Sequence, residues 1–260
     1  MKPRKSVTAG AKPPNAPSPP LTADAARRRL GALACPAHAA VLARFFKTGP
    51  GEYGEGDRFI GVKVPGIRTV GKEFKHLPLE EVERLLHSGI HEERLLALVI
   101  LVMQFEKGDA TTRRQIYDLY LGSTARINNW DLVDLSAPQV VGGYLEQRSR
   151  RPLYRLAKSS SLWERRISIV ATHWFIRRGE LDDTLKIAAM LIQDKHDLIH
   201  KATGWMLRES GKRDEAALVA FLETHCQAMP RTMLRYAIER FPERTRRRFL
   251  IARRSGARRA

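Results

Sequence analysis

The sequence has few cysteines and no long apolar run. Its two cysteines, Cys35 and Cys226, lie far apart, which excludes a disulfide framework and a cysteine metal cluster and fits a reducing compartment. Residues 1–20 lack the apolar core of a secretory signal. The longest apolar stretch, Leu95 to Met103, is far shorter than the about 20 residues that span a bilayer. We therefore expect a cytoplasmic protein without membrane attachment.

Several catalytic signatures are missing as well. There is no P-loop and no GxSxG or GxGxxG context, so the sequence does not support nucleotide hydrolysis or serine-hydrolase chemistry. The segment from His196 to His200 imitates a zinc-protease helix, with Asp197 in place of the usual glutamate. Further histidines, His173 and His225, are not part of a motif. Because two histidines four residues apart arise readily by chance, we expect no metal ion.

Acidic residues are scarce relative to basic ones. Lysine and arginine number 46 against 28 aspartates and glutamates, which gives a net charge of +18 and favours a polyanionic partner. Much of this charge lies at the ends: residues 1–20 carry four basic side chains and residues 244–260 carry eight arginines, without an acidic residue in either segment. We divide the chain into a flexible basic Pro/Ala-rich arm (1–21), a folded domain (22–243) and an arginine-rich tail (244–260). The tail is interpreted as a contributor to salt-dependent phosphate affinity, or alternatively as a solubility feature.

The folded part has the apolar periodicity of helices, and no convincing strand pattern is present. We therefore predict an all-α class. Helices are predicted near residues 65–76, 79–88, 91–107, 111–121, 129–145, 151–158, 162–178, 181–193, 197–210, 213–226, 230–241 and 243–254.

A repeat of about 36 residues runs through these helices. Four predicted helix starts are separated by 36, 36 and 35 residues: Arg94, Trp130, Arg166 and Lys201. A period of this length with two helices per unit is typical of a helical solenoid, whose second helices stack into one concave wall. We expect the four residues to lie near one another on that wall, and Asp134 and Trp205 to share it by i+4 spacing. The concave face is predicted to be basic.

The segment 128–138 combines several of these features. Asn128 is predicted to be the N-cap of a helix, with Asp131 completing a capping-box arrangement. Trp130 and Asp134 share a helix face. Pro138 lacks the amide that would bond the Asp134 carbonyl, so the helix should bend or loosen beside the acid.

Four segments resemble the AlkD-type DNA alkylation repair glycosylases. They are NNWDLVD, LWERRISIV, HKATGWMLRE and the upstream PGEYGEGDRFIGVKVPGIR, and the resemblance covers roughly residues 40–245. It implies a HEAT-like solenoid that excises cationic N3- and N7-alkylated purines from duplex DNA, without a metal or organic cofactor. A nucleoid-associated monomer is the expected form.

The same resemblance implies roles for particular residues. Asp134 matches the catalytic aspartate, Trp130 and Trp205 match two tryptophans that flank the lesion sugar, and Arg166 matches an arginine that holds the DNA backbone. The remaining candidate DNA-binding residues are Arg165, Lys201, Arg94, Lys63 and Tyr53. Lys63 falls where the family has a polar residue near the opened DNA helix. Tyr53 matches an N-terminal tyrosine that contacts DNA in the family.

Other interpretations stay open from the sequence. Tryptophans at helical spacing usually fill cores, and Arg166 could form a surface ion pair, for example with Glu164 or with a neighbouring helix. Trp163 and Trp174 are predicted to be packing residues. The chain could also be a HEAT-like protein that binds distorted or branched DNA without cleaving it. A protein–protein scaffold is disfavoured, because its concave face need not be cationic.

Overall fold

The computed structural model describes residues 21–257. The predicted N-terminal arm therefore lies outside the described residues except for Leu21. The α-helices in chain order are α1 (Ala23–Gly31), α2 (Pro36–Phe45), α3 (Val64–Glu73), α4 (Leu79–Leu86), α5 (His91–Lys107), α6 (Ala110–Gly122), α7 (Trp130–Ala137), α8 (Arg151–Ala157), α9 (Leu162–Ala171), α10 (His173–Ile176), α11 (Asp182–Leu191), α12 (Asp197–Gly211), α13 (Glu215–His225), α14 (Arg231–Ala237) and α15 (Glu243–Ala257). Over the described part of the chain no strand is formed, which confirms the predicted all-α class.

The helices form two layers. In the inner row, α5 contacts α7, α7 contacts α9, α9 contacts α12, and α12 contacts α14. The outer layer contains α4 and α6 against α5, α8 against α9, and α11 and α13 against α12. The apolar core lies between the layers and is continuous along the array. This alternation is that of an α-helical repeat fold, as predicted.

The repeat residues fall on four inner helices, but only one of them begins a helix. Trp130 starts α7, whereas Arg94, Arg166 and Lys201 each lie inside the first two turns of α5, α9 and α12. The prediction that all four are helix starts is therefore wrong. Local capping sets the true start: in α9, for example, the Ser161 hydroxyl accepts a hydrogen bond from the backbone N–H of Glu164.

The cap of α7 also differs from the prediction. The N-cap is Asn129, whose side-chain oxygen accepts from the backbone N–H of Trp130 at 2.8 Å, and not Asn128. Asp131 makes no capping box, because one of its carboxylate oxygens is bonded to His91 at 2.8 Å. The other carboxylate oxygen of Asp131 accepts from the backbone N–H of Leu132 at 2.9 Å, so this side chain contributes both to the helix end and to a tertiary contact.

The helix loosens after Pro138, as predicted. Residues Pro138–Gly142 form a π-helical turn that follows α7 directly. Wide turns of this kind occur where a helical hydrogen bond is lost, and they are common at functional sites. The turn also lies close to α9, since a β-carbon on Gly142 would come within 2.4 Å of the Ala171 carbonyl oxygen. The loosened turn is thus held in place by the neighbouring repeat.

The C-terminal helix crosses the predicted boundary between domain and tail. Helix α15 confirms the helix predicted over 243–254. Phe249 is only 2% exposed and stacks on Phe241, and Arg248 pairs with Glu223 of α13. The first part of the predicted tail is therefore a helix packed on the end of the array. No helix within residues 21–257 has the length and apolarity that crossing a membrane requires.

Candidate active-site cleft

A cleft of about 640 Å³ lies along the inner row of helices. Its lining residues are Phe45, Lys47, Tyr53, Trp130, Asp134, Arg166, His196, Asp197, Leu198, Lys201, Ala202, Trp205, Arg208 and Tyr236. Among them are six of the residues predicted to be catalytic or DNA-binding: Asp134, Trp130, Trp205, Arg166, Lys201 and Tyr53. The cleft thus joins residues that lie more than 150 positions apart in the chain.

Asp134 and Arg166 form the polar centre of the cleft. The Arg166 Nε donates to Asp134 Oδ1 at 2.9 Å, and Nη2 donates to Oδ2 at 2.7 Å. The third nitrogen, Nη1, donates to the Leu198 carbonyl oxygen at 2.6 Å. The Arg166 side chain is 5% exposed and that of Asp134 is 19% exposed. The guanidinium therefore fixes the carboxylate bidentately. Of the ion pairs considered for Arg166, the one with a neighbouring helix is formed, with Asp134 of α7 instead of Glu164, and it is buried instead of lying at the surface. The predicted contact of Arg166 with the DNA backbone stays a prediction.

The environment of Asp134 changes its acidity. Burial raises the pKa of the carboxyl above its usual range, and the charge of Arg166 opposes this shift without cancelling it. A carboxylate with a raised pKa is a better proton acceptor than an ordinary surface aspartate. The remaining exposed part of the side chain faces the cleft. Asp134 is thus both oriented and accessible.

The two predicted tryptophans are cleft residues. Trp130 and Trp205 are partly buried and both line the cavity, so neither is enclosed in the core. Trp174 instead lies against the π-helical turn, with the Arg178 guanidinium carbon 4.1 Å from the centre of its ring. That position agrees with the packing role predicted for it.

Tyr53 reaches the cleft from the glycine-rich loop between α2 and α3. Its side chain contacts the Trp130 indole, and its ring centre lies 6.3 Å from that of Trp163. The loop has positive backbone φ angles at Lys47, 52°, and Gly51, 74°. Gly54 has no room for a side chain, because a β-carbon would come within 2.4 Å of a backbone oxygen. The tight loop therefore folds back over the inner row.

A buried ionic network, which the sequence did not reveal, anchors this loop. His91 is 1% exposed, and its Nδ1 and Nε2 lie 2.8 Å from carboxylate oxygens of Asp57 and Asp131, respectively. Burial opposes a charge on the ring, but the two carboxylates outweigh it and raise the pKa of His91 to about 9. The same contacts lower the pKa of Asp57 against its own burial. A cationic imidazole thus joins the end of the loop to the start of α7.

The network also explains the position of Arg94. Its Nη2 donates to Asp57 Oδ1 at 2.6 Å, and its Nη1 donates to the Ser88 carbonyl oxygen at 3.1 Å. Arg94 is buried and does not line the cleft. The expectation that it would lie beside Trp130, Arg166 and Lys201 on an open wall is therefore corrected. In the sequence, the polar run His-Glu-Glu-Arg at the start of an otherwise apolar helix is the feature that indicates a buried ionic network.

The other predicted DNA-binding residues occupy different places. Lys201 lines the cleft and pairs with Asp197 at 2.8 Å, which raises the pKa of its ammonium. Arg165 donates to Asp194 Oδ2 at 2.6 Å and lies outside the cleft. Lys63 precedes α3 and lines a second, apolar cavity of about 510 Å³. That cavity shares Trp130 and Asp134 with the cleft.

The histidines of the zinc-like segment have structural contacts. His196 is the N-cap of α12, and its Nδ1 accepts from the backbone N–H of Leu198 at 3.1 Å. His200 Nε2 is bonded to the carbonyl oxygen of Asp194. Across residues 21–257, no group of three or more possible metal-binding side chains is present.

The fold and the cleft define a helical-repeat protein of a known repair family. The family model described as DNA alkylation repair enzyme matches residues 26–241, and the chain belongs to this family. A protein described as a predicted DNA alkylation repair enzyme from Enterococcus faecalis has a similar structure, with a TM-score of 0.63 and 15% sequence identity over 80% of this chain and 96% of that chain. A comparison with curated proteins gives no match. The family resemblance predicted from the four sequence segments is confirmed.

Proposed function

We propose that this protein is a monofunctional DNA glycosylase that hydrolyses the N-glycosidic bond of cationic N3- and N7-alkylated purines in duplex DNA. The observation that carries the proposal is the cleft in which Asp134, held by Arg166, lies with two accessible tryptophans. We further propose that the protein acts as a monomer, without a metal ion or an organic cofactor.

The carboxylate suits the charge that develops in this reaction. As the bond between the base and C1′ breaks, its electron pair leaves with the base and the sugar acquires oxocarbenium character. A fixed carboxylate stabilises that charge and can accept the proton of the attacking water. Carboxylates have the same use in the hydrolysis of other glycosides. The bidentate contact with Arg166 keeps Asp134 in one orientation, so little reorganisation is needed during the reaction.

The two indoles add to this stabilisation. A cation over the face of a tryptophan gains about 0.5–2 kcal/mol, and Trp130 and Trp205 both border the cleft that contains Asp134. Tyr53, which contacts Trp130, would restrict the movement of that indole. The sugar is therefore the part of the substrate that this cleft is best equipped to stabilise.

The scarcity of free carboxylates in the cleft fits a cationic base. An alkylated purine with a positive charge departs as a neutral molecule, so it needs no general acid. Asp197, the other carboxylate on the cleft lining, is bonded to Lys201, and this contact lowers its pKa despite partial burial. Asp197 is thus held ionised, which makes it a poor proton donor. Selectivity would come from the lability of the cationic lesion.

Base release from a duplex with one N7-methylguanine tests the proposal. Enzyme in excess over DNA isolates the chemical step, and release is compared with the spontaneous rate. We expect Asp134→Asn to lower the catalysed rate by about 10²-fold or more, since that is the usual size of such a contribution. Asp182→Asn, at an exposed position that begins the outer helix α11, is the matched control and should retain the wild-type rate.

DNA binding is measured with the same duplex. Tight, salt-sensitive binding by the wild type without base release above the spontaneous rate would contradict glycosylase activity on this lesion. It would favour the alternative, a non-catalytic HEAT-like protein that binds damaged or branched DNA. Equal rates for the wild type and Asp134→Asn would leave the activity standing and remove Asp134 from the mechanism.

A further inference from the structure

The C-terminal end of the inner row is strongly basic. Residues 231–248, which span α14 and the first part of α15, contain seven arginines and two glutamates. Both glutamates are engaged: Glu239 pairs with Arg208, and Glu243 pairs with Arg247 at 2.7 Å. Five exposed arginines in this region form no ion pair with any residue that the structure describes: Arg231, Arg235, Arg240, Arg244 and Arg246. We call these five residues the C-terminal arginine surface.

Helix α14 contributes both to this surface and to the candidate active-site cleft. Tyr236 of α14 lines the cleft, and the preceding residue, Arg235, lines a separate depression of about 400 Å³. Arg246 and Arg247 of α15 line the same depression. Arginine side chains of both helices therefore line a depression beside α14, the helix that also borders the cleft.

Both helices that carry this surface are packed on the array. Helix α14 lies so close to α12 that a β-carbon on Gly204 would come within 2.5 Å of the Met233 carbonyl oxygen. Helix α15 packs on the array through the buried ring of Phe249, and its exposed Arg248 pairs with Glu223 at 2.5 Å. The arginines of α15 thus project from a packed helix. Their backbone is already ordered, so they lose less conformational entropy on binding than arginines of a flexible tail would.

We propose that the C-terminal arginine surface binds the phosphodiester backbone of duplex DNA that flanks the nucleotide in the cleft, on the α14 side. Guanidinium forks match phosphate oxygens bidentately, and phosphate contacts fix register and affinity without reading sequence. Continuity with the cleft through α14 favours DNA over another polyanion. The inference rests on the proposed function in one respect, namely that duplex DNA occupies the cleft.

Helix packing gives the expected reach of the surface. Neighbouring helices lie about 8–10 Å apart, so α14 and α15 extend about 10–20 Å beyond α12. With about 3.4 Å per base pair, this corresponds to phosphates about 3–6 base pairs from the cleft nucleotide. Trimming the duplex within that distance on one side should remove the contact, whereas trimming the other side should not.

The test measures the salt dependence of binding to an unmodified duplex of about 25 base pairs, long enough to include these phosphates. Arg235→Ala/Arg246→Ala is compared with Arg151→Ala/Arg155→Ala, two exposed arginines of the outer helix α8 that do not line the cleft. Each lost phosphate contact reduces the slope of log K against log salt by about 0.9, so we expect a reduction of about 2 for the first variant and none for the control. Arg235→Lys/Arg246→Lys, which keeps both charges, should retain most of the wild-type slope.

Equal slopes for the two alanine variants would overturn the inference. A reduction in slope that stays the same when the duplex is shortened on either side would also overturn it. Loss of binding to anionic vesicles with unchanged DNA binding would assign the surface to a membrane instead. The readout is independent of base release. A reduced slope without base release would leave this inference standing and contradict only the proposed function. Base release together with equal slopes would support the proposed function and contradict only this inference. If the wild type shows no salt-sensitive DNA binding, both the inference and the proposed function are contradicted.

Discussion

Replacement of His91 by leucine would leave two carboxylates facing a buried site without their shared cation. In the wild type the ring is bonded to Asp57 and Asp131 at 2.8 Å on each side, and Arg94 supplies a second cation to Asp57 only. Removing one partner of a buried ion pair destabilises a protein by about 3–5 kcal/mol. We expect His91→Leu to cost about 3 kcal/mol, because Asp131 is partly exposed and recovers some solvation.

The pKa of His91 gives a second value for the same contribution. Raising it from 6.5 to about 9 on folding corresponds to about 3 kcal/mol. Because the folded protein holds this proton more tightly than the unfolded chain, the contribution is fully present below pH 6.5 and is lost as the pH rises through 9. The raised pKa and the loss of a buried ionic partner thus correspond to the same contribution of about 3 kcal/mol.

Urea unfolding at several pH values measures this contribution. The difference in free energy of unfolding between wild type and His91→Leu should be largest below pH 6.5 and should shrink by about 3 kcal/mol above pH 9. His87→Leu, at an exposed position after α4, is the control and should show no such change. A difference that does not vary with pH would refute the assignment of a cationic, doubly bonded His91.

Three further predictions concern the cleft and its support. Arg166→Lys keeps the charge but loses the fork on Asp134, so single-turnover base release should fall by about 10- to 100-fold; an unchanged rate would contradict a positioning role. Trp205→Ala removes one cation–π contact and should slow base release by about 2- to 30-fold. DNA affinity is measured alongside, and a loss of affinity without a slower release would contradict a role of Trp205 in the chemical step. Gly204→Ala should lower the free energy of unfolding by about 1–3 kcal/mol, because the added methyl group forces α14 away from α12. Gly122→Ala is the control and should not destabilise the protein, because Gly122 has open space around it. Equal effects of the two substitutions on the free energy of unfolding would contradict the close approach of α12 and α14.

Much of the fold could be predicted from the sequence because periodicity is a local property. The 36-residue spacing places Trp130, Arg166 and Lys201 on the inner helices, and i+4 spacing adds Asp134 and Trp205. Pro138 marked the point where the helix loosens, since a missing backbone donor has its effect within one turn. These inferences needed no knowledge of which residues meet across the structure.

The parts that failed depend on contacts between distant segments. Asp57 lies 34 residues from His91, and Asp131 lies 40 residues from it on the other side. Nothing in the local pattern of these residues says that they meet, so the sequence predicts an open position for Arg94, whereas the structure pairs it with Asp57. Arg166 and Asp134 were each recognised, but their pairing required the approach of α7 and α9. Long-range ionic partners are thus the information that periodicity does not carry.

The central claim is that an ionised Asp134 drives N-glycosidic hydrolysis in the cleft. The most direct test is the rate of N7-methylguanine release by saturating enzyme as a function of pH, after subtraction of the spontaneous rate. Because burial raises the pKa of Asp134, the catalysed rate should fall as the pH drops through that raised pKa. The catalysed rate of Asp134→Asn should be lower by about 10²-fold or more at the pH where the wild type is fully active, and it should lack this pH dependence. Release no faster than the spontaneous rate at every pH, or an Asp134→Asn profile that matches the wild type, would contradict the claim.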